Sequence, residues 1–176
     1  MTPATRRRVL STAILFAPAA LLAGCATGLT GPAVTPSQVI ADAGSIINGL
    51  AATVTQINVA SPGLIPAALL PQIQTYLTQA QAALASLSGS LPAQTSAVTL
   101  QQVEDDAQSV LTALAGVPLI PPPYSTAIQA AAILLPIVEV FVNQTLHTVA
   151  PTVAAPDPAR ANQARATLAA AIARAH

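Results

Sequence analysis

Three groupings of side chains have the types and spacing that chemistry uses. Glu139, Asn143 and His147 follow at steps of four, which on a helix places an acid, an amide and an imidazole on one face. Glu139 and His147 would lie about 12 Å apart along the axis, too far to share one ion. The set therefore reads as a solvent-facing stripe. Glu104, Asp105 and Asp106 supply oxygens of the kind a divalent cation takes. Neighbouring helical residues point about 100° apart, however, and acids early in a helix are favoured by its dipole, so these read as ordinary helix acids. Cys25, the single cysteine, is the third candidate. Schiff-base and pyridoxal chemistry is excluded because the chain has no lysine, and a disulfide within the chain is excluded by the lone thiol. No serine–histidine or cysteine–histidine constellation, Gly-rich phosphate loop or zinc-ligand spacing is present. The expectation is a non-enzymatic protein with no metal and no cofactor.

The setting of Cys25 gives it a different chemistry. Arg6, Arg7 and Arg8 precede an apolar run from Val9 to Ala23. That run is shorter than the roughly 18 residues a membrane span needs, and Pro18 interrupts it. A basic start, a short apolar middle and small residues at the cut describe an export leader. With Leu22-Ala23-Gly24-Cys25 at its end, the segment resembles a bacterial lipoprotein signal peptide with its lipobox. The resemblance implies cleavage between Gly24 and Cys25, a diacylglycerol on the Cys25 thiol and acylation of the new amino group. Two or more acyl chains anchor stably, at about 0.8 kcal/mol per buried CH2. Ala26 stands where Asp is associated with inner-membrane retention, so the same resemblance implies the outer membrane, facing the periplasm. Thr5-Arg6-Arg7-Arg8-Val9-Leu10 is in part similar to a twin-arginine export motif, with Val9 for Phe and Ser11 for Lys.

Beyond the leader remain about 150 residues, enough for one domain with a real core. Arg160, Arg165 and Arg174 face Asp42, Glu104, Asp105, Asp106, Glu139 and Asp157, a net negative balance. Nucleic-acid binding, which needs clustered cations, is excluded on that ground. Aromatic residues make up 2% of the chain, so the core must be built from Ala, Leu, Ile and Val. Small side chains bury little area each, and a modestly stable bundle with thin layers is expected.

Periodicity supplies the elements. Residues 25–36 read as a lipidated tether rich in Gly, Thr and Pro. Thr35-Pro36-Ser37-Gln38 carries the marks of a helix start, followed by a seam at Ile40, Ala43, Ile47, Leu50, Val54 and Ile57. A second helix opens with Pro71 at its first position, its seam being Ile73, Leu77, Ala80, Leu84 and Leu87. Thr99 and Gln102 suggest a capping box for a third, with Leu100, Val103, Ala107, Val110 and Leu114 on its face. After a proline-rich connector, Val117 to Tyr124, a fourth has Ile128, Ala131, Leu135, Val138 and Val142. Asp157-Pro158 opens a last, Ala-rich helix whose only large apolar groups are Leu168 and Ile172.

The fourth helix is apolar enough to raise the question of a membrane span. Its apolar residues favour insertion by roughly 4 kcal/mol, and Glu139 alone costs about 3 against it. Ser125, Gln129, Ala132, Pro136, Glu139, Asn143 and His147 fall within an arc of about 80°. One polar stripe with apolar residues elsewhere describes a bundle helix with one face in water.

The expected fold is all-α, an antiparallel up-down bundle of about four helices over 37–148, with a linker and loosely docked C-terminal helix over 149–176, behind a signal peptide at 1–24. The expected function is a lipid-anchored, periplasm-facing envelope protein, structural or protein-binding, held to membrane lipid through Cys25. The alternative is a membrane-active, holin-like or spanin-like lysis factor. It draws on a compositional similarity to small Ala-rich, lipobox-led proteins of prophage type.

Overall fold

A computed structural model describes residues 35–87, 93–146 and 155–175. Their regular structure is helical throughout: α1 is Pro36–Ala60, α2 Leu70–Ser86, α3 Ala93–Ala115, α4 Tyr124–Leu146 and α5 Pro158–Arg174. The fold is an all-α helical bundle. The Thr35 hydroxyl accepts from the Gln38 amide at 3.3 Å, and Pro36, which lacks a donor, occupies the first turn where none is needed. Asp157 caps α5 in the same way, accepting from the Ala159 amide at 2.7 Å ahead of Pro158. At α2 no side chain caps the start; Pro71 alone marks it.

The three-and-four spacing becomes the core. From α1, Ala43, Ile47, Leu50, Val54 and Ile57 are buried, and α3 contributes Leu100, Val103, Ala107, Val110 and Leu114. Ile40, Leu84 and Ile128 are only half-buried at the margins of that core. The core is wider than one seam, taking in Val39, Ile46, Leu134 and Ile137 as well. Side chains this small must pack on several sides to exclude enough water, and α1 accordingly packs on all four other helices.

Two boundaries differ from the sequence reading. The third helix starts at Ala93 rather than at a Thr99 cap, and the Thr99 hydroxyl donates to the Thr95 carbonyl one turn back instead. Ser96 and Ala97 are buried, so packing carries the helix past the capping signal. The last helix is docked far more firmly than its composition suggests. It lies against α1 and α4, with Ala161, Ala164 and Ala171 buried and Leu168 fully enclosed. Alanine makes this possible, since small residues at steps of three and four let two backbones approach.

Candidate functional site

Three contacts bind α5 to α1. Asp42 is 3% exposed, and its two oxygens accept from Arg165 Nε and Nη2, each at 2.7 Å. The remaining Arg165 nitrogen, Nη1, donates to Asn162 at 2.7 Å. This fork-to-carboxylate geometry is the strong form of a charged hydrogen bond, and it pushes the Arg165 guanidinium above its ordinary range. Seven residues along α1, Gly49 lies under Leu168, whose Cδ2 would be 2.6 Å from any added Cβ. Seven further on, Gln56 Nε2 donates to the Ala171 carbonyl at 2.9 Å. The three contacts run in the same order along both helices, so α5 lies parallel to α1. Their role is structural. The sequence held one sign of it, a lone acid in the otherwise uncharged α1.

The acids of α3 do not form a cluster. Asp105 is exposed, Glu104 is half-buried and Asp106 is 8% exposed. The earlier start of α3 places all three well inside the helix, and no acid stands in its first turn, so the dipole does not explain them. Burial, with the facing charge of Glu139 and the neighbouring charge of Asp105, pushes the Glu104 carboxyl up to about 7. Burial, then Asp105, also raises the Asp106 carboxyl above its usual range. Asp106 Oδ2 is buried and has no hydrogen-bond partner. Among the described residues no three His, Cys, Asp or Glu side chains are grouped to hold a metal ion.

On α4 the polar stripe keeps its orientation. Gln129 and Ala132 are exposed, and Ser125, Pro136, Glu139 and Asn143 are half-buried. Pro136 cannot reach the carbonyl of Ala132, which lies on that wet side. The helix is long and apolar enough to cross a membrane by length and composition, with a mean hydropathy of 1.9 in its most apolar window. Eight of its residues, including Leu134, Leu135, Ile137 and Val138, are buried in the bundle, as a core helix of a soluble protein would have them. His147, His176, Gly24, Cys25, Arg6, Arg7 and Arg8 lie outside the described residues.

Two shallow hollows mark the surface. A groove of about 440 Å³ between α1 and α2 is lined by Ile40, Gly44, Asn48, Gln81, Leu84 and Ala85. A second, of about 370 Å³, lies where the ends of α1 and α5 meet the start of α4, with Val59, Tyr124 and Arg174 on its walls. Both are open, and neither gathers the convergent polar groups of a built ligand site. No family model, curated protein or solved structure matches the chain.

Proposed function

We propose that the protein is a lipid-anchored, periplasm-facing envelope lipoprotein whose helical bundle acts without catalysis, as a structural element or as the docking body for a protein partner. The observation that carries this reading is Leu22-Ala23-Gly24-Cys25 behind a basic and apolar leader. The bundle is compatible with it from the other side. Its most apolar helix is committed to the core, which leaves lipid on Cys25 as the natural attachment, and no arrangement of side chains described above resembles a reaction centre.

Membrane fractionation tests it directly. Cys25→Ser should move the protein from the membrane to the soluble fraction or leave an uncut precursor, and mass spectrometry of the wild-type protein should find an acylated N-terminal cysteine. A wild-type chain that begins at Met1 with a free thiol overturns the reading. The lysis-factor alternative draws on the apolarity of α4 and requires that helix to leave the bundle. Protease accessibility at both ends of α4 from one side of the membrane removes it.

A further inference from the structure

Helix α1 runs about 36 Å from its cap at Thr35 to Ala60, at 1.5 Å per residue. At its far end it meets the C-terminus of α5 and the start of α4, and these enclose the hollow walled by Val59, Ala60, Tyr124 and Arg174. The α3–α4 connector reaches the same end, since it runs into Tyr124. Within that connector, Leu119 stands where both backbone and solvent disfavour a leucine. Val117 is buried and Ile120 half-buried against the core, while Leu119 between them is 91% exposed. Pro118 and Leu119 form a turn with Leu119 at a φ of 60°, a conformation that crowds an L side chain and that Gly or Asn adopts readily. Leu119 is thus a knob that its own chain leaves uncovered.

A socket of matching character lies on that same end. The hollow holds about 370 Å³, room for a branched aliphatic side chain, and Val59, Ala60 and the Tyr124 ring give it carbon walls. Val59 is itself 76% exposed. Pro118, Pro121, Pro122 and Pro123 are exposed here too, and they carry no N–H, so covering them strands no backbone donor. The described acids lie elsewhere. Asp42 and Asp157 belong to the starts of α1 and α5, and Glu104, Asp105, Asp106 and Glu139 stand more than two turns along their helices from the connector. Two such ends brought together therefore set no carboxylate against another.

We propose that this end is a pairing surface for a second copy of the chain, the Leu119 knob of each copy seated in the Val59–Tyr124 hollow of the other. One knob and one hollow on each chain is the reciprocity that a twofold pair requires. Three helix ends, each about 10 Å across, cover on the order of 300 Å². That is below the roughly 800 Å² per partner of a standard stable interface, so the pair is transient and depends on concentration. The inference rests on the reading of the bundle as a docking body and names its occupant, but it needs no lipid on Cys25. A pair that fails to form leaves the anchor standing, and a free Cys25 thiol leaves the pair standing.

Photo-crosslinking of the full-length chain in detergent tests it. A benzophenone amino acid in place of Asn58, exposed beside the hollow, should give a crosslinked dimer whose yield rises with protein concentration. The same label in place of Val98, exposed near the start of α3 at the other end, should not. Leu119→Gly and Leu119→Asn should each cut the dimer from position 58 by about tenfold or more, since both residues suit the turn and neither fills an apolar hollow. Leu119→Met, apolar and of similar volume, should keep most of it. The proposal is overturned by the lack of a dimer at any concentration, by equal yields from positions 58 and 98, or by a dimer that Leu119→Gly leaves unchanged. A label at position 58 that in the cell envelope joins a different protein, and never a second copy, overturns it as well.

Discussion

At the residue scale, two glycines on one helix have opposite consequences. Gly44 faces open space, with nothing within 4 Å of an added Cβ, whereas a Cβ on Gly49 would stand 2.6 Å from Leu168 Cδ2. Alanine gains up to about 1 kcal/mol over glycine inside a helix. Gly44→Ala should therefore stabilise the protein by about 0.5–1 kcal/mol. At Gly49 the same gain meets a fully buried leucine that has nowhere to go, and overpacking costs about 1–3 kcal/mol, so Gly49→Ala should destabilise by about 1 kcal/mol net. Urea denaturation followed by circular dichroism measures both. If Gly49→Ala matches Gly44→Ala, Leu168 can move aside and the α1–α5 contact is softer than its geometry.

At the scale of elements, α5 depends on one buried charge pair. Arg165→Met leaves the Asp42 carboxylate enclosed without its cation, and breaking a buried pair costs about 3–5 kcal/mol. Because the Arg165 side chain keeps 28% of its exposure, water can partly replace it, and a loss of about 2–3 kcal/mol is expected. The double variant Asp42→Leu with Arg165→Met should recover most of that loss, since an apolar pair of similar volume is often neutral. Thermal unfolding of the two singles and the double gives the coupling, and additive effects would show that the pair contributes nothing jointly. The helices and most of their buried faces were legible in the sequence. Thr35, Pro36, Pro71, Asp157 and Pro158 act locally, and a three-and-four apolar spacing shows wherever one face meets a core. What was not legible depended on partners distant along the chain. Arg165 lies 123 residues from Asp42, and nothing local pairs them. Glu104 read as an early-helix acid because Thr99 resembled a cap, and only the packing of Ser96 and Ala97 sets the true start of α3. Its facing of Glu139 is a matter of how two helices lie together.

At the scale of the whole molecule, the decisive matter is whether α4 belongs to the protein or to a membrane. Leu134, Leu135, Ile137, Val138 and Val142 are buried, and at about 1.5–3 kcal/mol for each enclosed side chain they represent on the order of 10 kcal/mol. A domain of this size is stable by only about 5–15 kcal/mol. Withdrawing α4 would also strip the faces of α1, α3 and α5 that pack on it, so insertion amounts to unfolding the bundle. The outer surface of the described residues gives no sign of a lipid-facing band. Among the described residues the large apolar side chains left exposed are Val59, Val98 and Leu119, on α1, on α3 and in the α3–α4 connector, too few and too separated in sequence to form a belt. A chain starting at Ala26 should therefore be soluble without detergent, strongly helical, and cooperative on heating, and lipid vesicles should leave its spectrum and melting temperature unchanged. If that chain instead partitions into vesicles and loses its cooperative transition, α4 is a membrane segment held in reserve, and the lysis-factor alternative becomes the better account of the protein.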